Sequence, residues 1–296
     1  MSKLKEAIKK VIPTSMAKSN KLYSNLIQEI ANMQARVIPK TMLDYEVQLV
    51  EHCNLNCKCC SHFSPLCKEE FLDVEEYRKD CKRLSELFNG QANFIRLMGG
   101  EPLLHPEIEK ILEITKENFP KSIIDLDTNG ILVLSMKKEF WESMRKTKIN
   151  LTITRYPIKL NYEKIKEKCK KEKVNFRFFD EQKSREFTKL SLDIEARQQT
   201  DCNFIKCYLA NSCHTLKHGK MYTCSTVPHI SHFNEYYKCN LEITEKDGID
   251  IYKAKSGQEI LDFLAKPIPF CRYCKVNQRV YGNKWQKSEK SIDEWT

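Results

Sequence analysis

A chain of 296 residues with 41% hydrophobic content can bury one substantial core plus a small appendage. It has no apolar run near the roughly 20 residues of a membrane span, and its charged amino terminus lacks a signal peptide's apolar block. Fourteen cysteines in tight groups, in a Lys-rich chain of this size, fit metal ligation in a reducing cytoplasm better than a secreted disulfide scaffold. The net charge is +10, and residues 1–44 hold eight Lys/Arg against three acids. A solvated face explains such a stretch better than a nucleic-acid or membrane contact, so no nucleic-acid partner is expected and peripheral membrane binding is not favoured.

Residues 3–12 place Leu4, Ala7, Ile8, Val11 and Ile12 on one side of an amphipathic helix that ends before Pro13. Residues 20–37 repeat the pattern with Leu22, Leu26, Ile30 and Met33. The expected role is an amino-terminal cap packed on its own domain. The alternating run from Tyr45 to Val50 then reads as a strand.

Just past that strand lie Cys53, Cys57 and Cys60, with Asn54, Asn56 and Lys58 interleaved. A loop this short can wrap three thiolates around one soft metal centre, and an iron–sulfur cube is held by cysteine sulfur. Three ligands leave one iron open. Two other readings stand beside this one. The same spacing would put three buried cysteines on one helix face, and thiols also hold structural zinc, though usually as paired C-x2-C units.

From residue 45 to about 180 the pattern alternates strand and helix. Asp73 is placed to cap a helix carrying Val74, Tyr77, Cys81, Leu84, Leu87 and Phe88. Phe94 to Met98 reads as a strand ending in Gly99-Gly100-Glu101-Pro102, and a helix follows Pro106. Ser122 to Asp127 is the next strand, ending in Thr128-Asn129-Gly130. A helix at 136–146, a strand at 149–154, a helix at about 161–173 and a strand at 174–179 complete the series. Repeated βα units demand parallel strands, and active residues then collect at their carboxyl ends. Two glycines permit close backbone approach to a ligand, and Glu101 offers a carboxylate to a cation.

C-x3-C-x2-C after a first strand, followed by Gly99-Gly100-Glu101-Pro102, resembles the radical S-adenosylmethionine superfamily. The resemblance implies a partial (β/α)6 barrel in which Cys53, Cys57 and Cys60 hold a [4Fe–4S] cluster. The open iron would chelate S-adenosylmethionine, whose reductive cleavage gives a 5′-deoxyadenosyl radical. Gly99, Gly100, Glu101 and Pro102 would meet the methionine amino group, and Asn129, Thr154 and Arg155 the ribose or carboxylate. Arg155 is equally suited to an anionic substrate group or a structural ion pair. One departure is Cys59, which stands where the family usually has an aromatic residue.

After residue 200 come Cys202, Cys207, Cys213 and Cys224, then Cys271-x2-Cys274. Thr215 to Tyr222 reads as a hairpin turning at His218-Gly219. Cysteines flanking a hairpin can converge with the later pair to make a four-thiolate set for zinc or a second cluster. Cys207-x11-Gly219-x4-Cys224 resembles the SPASM extension in its shortened twitch form. That resemblance implies an auxiliary [4Fe–4S] cluster on Cys207, Cys224, Cys271 and Cys274, with Cys213 as the rival for the Cys207 place.

The expected domains are a helical extension at 1–44, the α/β barrel at 45–199, a small twitch-like domain at 200–280 and a tail at 281–296. The resemblance implies an enzyme with two [4Fe–4S] clusters and S-adenosylmethionine. A flavodoxin or ferredoxin would reduce it. Its expected substrate is a small polar molecule (sugar, sugar nucleotide or aminocyclitol), oxidised or epimerised. A peptide maturase and a non-catalytic zinc-stabilised nucleic-acid or membrane-binding protein are the alternatives.

Overall fold

The computed structural model describes residues 20–179 and 186–296. The helix expected at 3–12 lies outside the described residues. α1 (Asn20–Val37) is followed by β1 (Asp44–Gln48), α2 (Val74–Leu87), β2 (Phe94–Met98), α3 (Ile108–Asn118) and β3 (Ile123–Thr128). α4 (Lys138–Thr147), β4 (Asn150–Thr154), α5 (Tyr162–Lys171) and β5 (Phe176–Phe179) continue the alternation. Local chemistry sets these boundaries. The Asp73 side chain accepts from the Glu76 amide at 2.7 Å to start α2, and Asn161 does the same for α5 from the Lys164 amide at 3.0 Å.

The five strands pair in parallel in the order β5-β4-β3-β2-β1. The sixth parallel strand comes from far along the chain. β7 (Thr215–Lys217) pairs with β1, and β8 (Lys220–Tyr222) and β9 (Gly248–Asp250) extend the sheet antiparallel. The hairpin expected within residues 200–280 is present, and it shares the barrel's own sheet.

Side chains alternate across these strands. Val47, Leu97, Leu126, Leu151 and Ile153 pack with Tyr77, Leu84, Ile111, Phe140 and Met144 of the covering helices in the main core. Glu46, Arg96, Asp125, Asp127, Thr152 and Arg177 occupy the alternate positions and give the other face of the sheet an ionic lining. A second apolar core gathers Phe63, Leu66, Ile268, Phe270 and Trp295 around α7 (Thr226–Tyr237). α1 packs on α6 (Thr200–Lys206), and Asn211 Nδ2 donates to the carbonyls of Ala35 and Ile38, both at 3.0 Å. No described helix is long and apolar enough to cross a membrane.

The tail folds back over the cysteine loop. β10 (Val280–Lys284) pairs antiparallel with β6 (Glu186–Lys189). The Lys58 amide then donates to Gln286 O at 2.9 Å, and the Ser288 amide to Asn56 O at 2.8 Å.

Candidate metal and cofactor centre

Residues 53–60 form an irregular loop, with Asn56 and Cys59 in the left-handed region at φ 54° and 57°. That excludes the helix-face reading of its cysteines. Cys53, Cys57 and Cys60 line one cavity of about 360 Å³, together with Gly99, Gly100, Asn129 and Thr154. No disulfide joins them; all fourteen cysteines are free thiols. Burial pushes Cys53 and Cys57 up to about 12, with Glu101 and Cys60 adding to it at Cys53 and the other two thiols at Cys57. Cys60 is buried as well, yet His62 beside it holds its thiol below the usual value. Three half-buried sulfurs converging on one cavity are the donor set a soft, thiophilic metal group requires.

Other groups aim at these sulfurs. Trp285 Nε1 donates to Cys57 Sγ at 3.1 Å, and Trp295 Nε1 to Cys60 O at 2.9 Å. Asn129 Nδ2 lies 3.8 Å from Cys53 Sγ and donates to Asn54 Oδ1 at 2.7 Å. Cys59 is buried; burial, with the Glu294 charge adding to it, pushes its thiol up to about 11.

The Gly-Gly pair has a sharper use than approach to a ligand. A Cβ on Gly99 would stand 2.7 Å from Val50 O, and one on Gly100 only 1.9 Å from His52 O. The backbone of β2's end therefore presses against the stretch that launches the cysteine loop, where the Gly100 amide donates to Val50 O at 2.6 Å. Gly100→Ala is expected to cost about 3 kcal/mol or more of stability, read from urea unfolding. An unchanged midpoint would contradict this contact.

Glu101 is fully buried and does not line the cavity. It accepts from Thr128 Oγ1 at 2.6 Å and from the amides of Asn129 at 2.9 Å and Leu103 at 3.1 Å. Burial pushes its carboxyl up to about 7. The carboxylate thus ties the ends of β2 and β3 together, and Pro102 lies beside it, also off the cavity wall. Arg155 too is off that wall, its guanidinium stacked 4.1 Å from the Phe178 ring centroid.

Cys207, Cys224, Cys271 and Cys274 line a second pocket, with Phe204, Ile268 and Phe270. Burial raises the thiols of Cys224, Cys271 and Cys274, and the charges of neighbouring thiols in the set add to it. Arg279 donates to Cys207 Sγ at 2.9 Å, and Asn203 Nδ2 donates to the carbonyls of Cys271 at 2.8 Å and Cys274 at 2.5 Å. Cys213 is not on this pocket; its thiol, raised to about 11 chiefly by burial, also feels Glu46 and Arg96.

Among the cavity residues that sequence reasoning missed are His62, Asp127 and Tyr156. None belongs to a spaced motif. The one available signal was that Asp127 is an acid on a strand end already singled out.

Residues 47–178 match the Radical SAM superfamily. GTP 3',8-cyclase of Chlorobaculum tepidum is 34% identical over 93 residues, which is 31% of this chain and 27% of that protein. GTP 3',8-cyclase of Aquifex aeolicus is 32% identical over 102 residues, 33% of this chain and 31% of that protein. The chain thus spans about a third of the length of these curated relatives. A crystal structure of BtrN in complex with AdoMet and 2-DOIA covers 80% of this chain and 94% of that chain at 15% identity, with a TM-score of 0.51. It shares the fold. The match over residues 47–178 spans most of the parallel sheet and the cysteine loop at its carboxyl edge.

Proposed function

We propose that this chain is a radical SAM enzyme that abstracts hydrogen from a small polar substrate, a sugar, sugar nucleotide or aminocyclitol, and so oxidises or epimerises it. The observation that carries the reading is the convergence of Cys53, Cys57 and Cys60 on one cavity that Gly99, Gly100, Asn129 and Thr154 also line. The family implies a [4Fe–4S] cluster and S-adenosylmethionine. In this reading Cys53, Cys57 and Cys60 hold the first cluster, and Cys207, Cys224, Cys271 and Cys274 a second. Bound there, the clusters supply electron transfer: one to S-adenosylmethionine, the other for the electron that substrate oxidation releases or epimerisation consumes.

The chain's own residues bind, orient and exclude water. Asn129 and Thr154 sit at neighbouring strand ends on the cavity wall, where hydroxyl groups of a ribose can be held. The tail, through Trp285, closes the cavity on the side of Cys57 and shields the sulfur from solvent. Flavodoxin or ferredoxin is the class of reductant this chemistry calls for. An aminocyclitol fits the shared fold with BtrN, whose complex contains 2-DOIA; a nucleotide fits the cyclase relatives.

The test is anaerobic reconstitution with iron and sulfide, reduction by dithionite, and assay of 5′-deoxyadenosine. The reading expects about eight irons per chain, four for each cubane, and adenosyl cleavage. Zinc in place of iron, with no cleavage, would favour a non-catalytic zinc protein. Trp285→Phe should lower the first cluster's reduction potential by on the order of tens of millivolts, because a hydrogen bond to a ligand sulfur stabilises the reduced state. An EPR-monitored redox titration reads this, and an unmoved potential would detach Trp285 from the site.

A further inference from the structure

Two histidines three residues apart share one face of a helix. On α7 these are His229 and His232, their rings 7° from parallel with centroids 6.5 Å apart. Both meet Glu51, just past the end of β1. His232 Nε2 is 2.8 Å from Glu51 Oε2, His229 Nδ1 is 3.1 Å from the same oxygen, and Gln48 Nε2 donates to it at 2.9 Å. Three nitrogens thus crowd an oxygen that has about two lone-pair sites. Lys217 Nζ holds the other oxygen at 2.8 Å. Cys67, which closes a 3-10 turn at Ser64–Leu66, completes the group: its sulfur, a Glu51 carboxylate oxygen and a His232 ring nitrogen all lie within 4.8 Å of one another. None of the three residues lines either cysteine pocket. Burial pushes the Glu51 carboxyl up, but His229, His232 and Lys217 outweigh it and hold the group ionised. Burial also pushes the Cys67 thiol up, and the Glu51 charge beside it adds to that. A cation placed among these groups reverses the second effect, because a coordinated thiol gives up its proton. A carboxylate, an imidazole and a thiol are the mixed donors that zinc takes.

We propose that Glu51, Cys67 and His232 bind one zinc ion, a third metal site separate from both cysteine sets, and that the ion fastens the end of β1 and the segment after the cysteine loop to α7. Binding forms bonds from the ion to Glu51 Oε2, Cys67 Sγ and His232 Nε2. The thiol proton, which Cys67 donates to Phe63 O at 3.3 Å, passes to solvent, and no electron moves. Lys217 on the outer oxygen keeps the carboxylate turned so that Oε2 is the ligand atom. A tetrahedral ion then has one place left for water or for His229 Nδ1. The site stands whether or not the radical SAM reading holds, since it shares no ligand with either cysteine set.

The experiment loads the full chain anaerobically with iron and sulfide, adds a small excess of zinc chloride, desalts, and measures zinc and iron by mass spectrometry. Wild type should keep about one zinc per chain beside its iron. X-ray absorption at the zinc edge should show one sulfur at about 2.3 Å, with nitrogen or oxygen at about 2.0–2.1 Å. Cys67→Ala and His232→Ala, each checked for folding by circular dichroism, should weaken zinc binding about 100-fold or more and leave iron unchanged; even the outer partners of metal ligands are worth about 10- to 100-fold. Cys239→Ser, which changes a half-buried thiol outside all three sets, should keep the zinc. Zinc should raise the thermal midpoint of wild type and of neither ligand variant. No zinc on the iron-loaded wild type, a first shell of four sulfurs, or full zinc affinity in both ligand variants would overturn the proposal. The absorption spectrum of the wild type decides the matter even if a variant fails to fold.

Discussion

Replacing Cys53, Cys57 and Cys60 together by Ala should abolish 5′-deoxyadenosine formation and lower the iron content from about eight to about four per chain. The three sulfurs share one cavity, and each of the other two lies close enough to Cys57 to raise its thiol further. Removing all three leaves His62 and Trp285 without the sulfurs they face, and a single imidazole does not hold a four-iron cluster by itself. The loop should survive the change, because Gly100, Gln286 and Ser288 hold it through backbone hydrogen bonds that no cysteine side chain enters. Iron analysis beside the activity assay separates loss of the site from loss of the fold. Cleavage retained by the triple variant would remove the site from these residues.

Cys271→Ser with Cys274→Ser is expected to do the converse. About four irons should be lost, cleavage of S-adenosylmethionine without substrate should persist, and substrate turnover should fall to background. A structural cost is expected too. The second pocket is walled by Phe204 and by Ile268 and Phe270 of the second apolar core, and Asn203 binds the carbonyls of both cysteines. A metal group there would cross-link the end of α6, the loop before α7 and residues 271–274, so its loss should lower the thermal midpoint. Loss of one zinc with no change in iron would make that pocket a structural zinc site and leave the first site untouched.

The strands and helices from 45 to 179 were legible because each is a local period closed by a local signal, such as Asp73 before α2 or Asn161 before α5. Segments that meet across long sequence separations were not. Nothing local tells β7 that it belongs beside β1, about 170 residues away, or Trp285 that it will face Cys57. The charge of Glu101 offers a carboxylate to a cation; its full burial and three donors, two of them at the end of β3, are not written in its neighbours. The glycines before it line the cavity and also press against Val50 and His52, a contact that their own neighbours in sequence do not announce. Asp127 escaped notice because a lone acid on a strand has no pattern.

The most direct test of the central claim is EPR of the reduced Cys271→Ser/Cys274→Ser protein, in which only the first site can hold a cluster, recorded before and after adding S-adenosylmethionine. The account predicts a reduced [4Fe–4S] signal whose g-values shift on addition, as binding at an open iron requires. A signal indifferent to S-adenosylmethionine, or no iron signal with zinc at Cys53, Cys57 and Cys60, would contradict it.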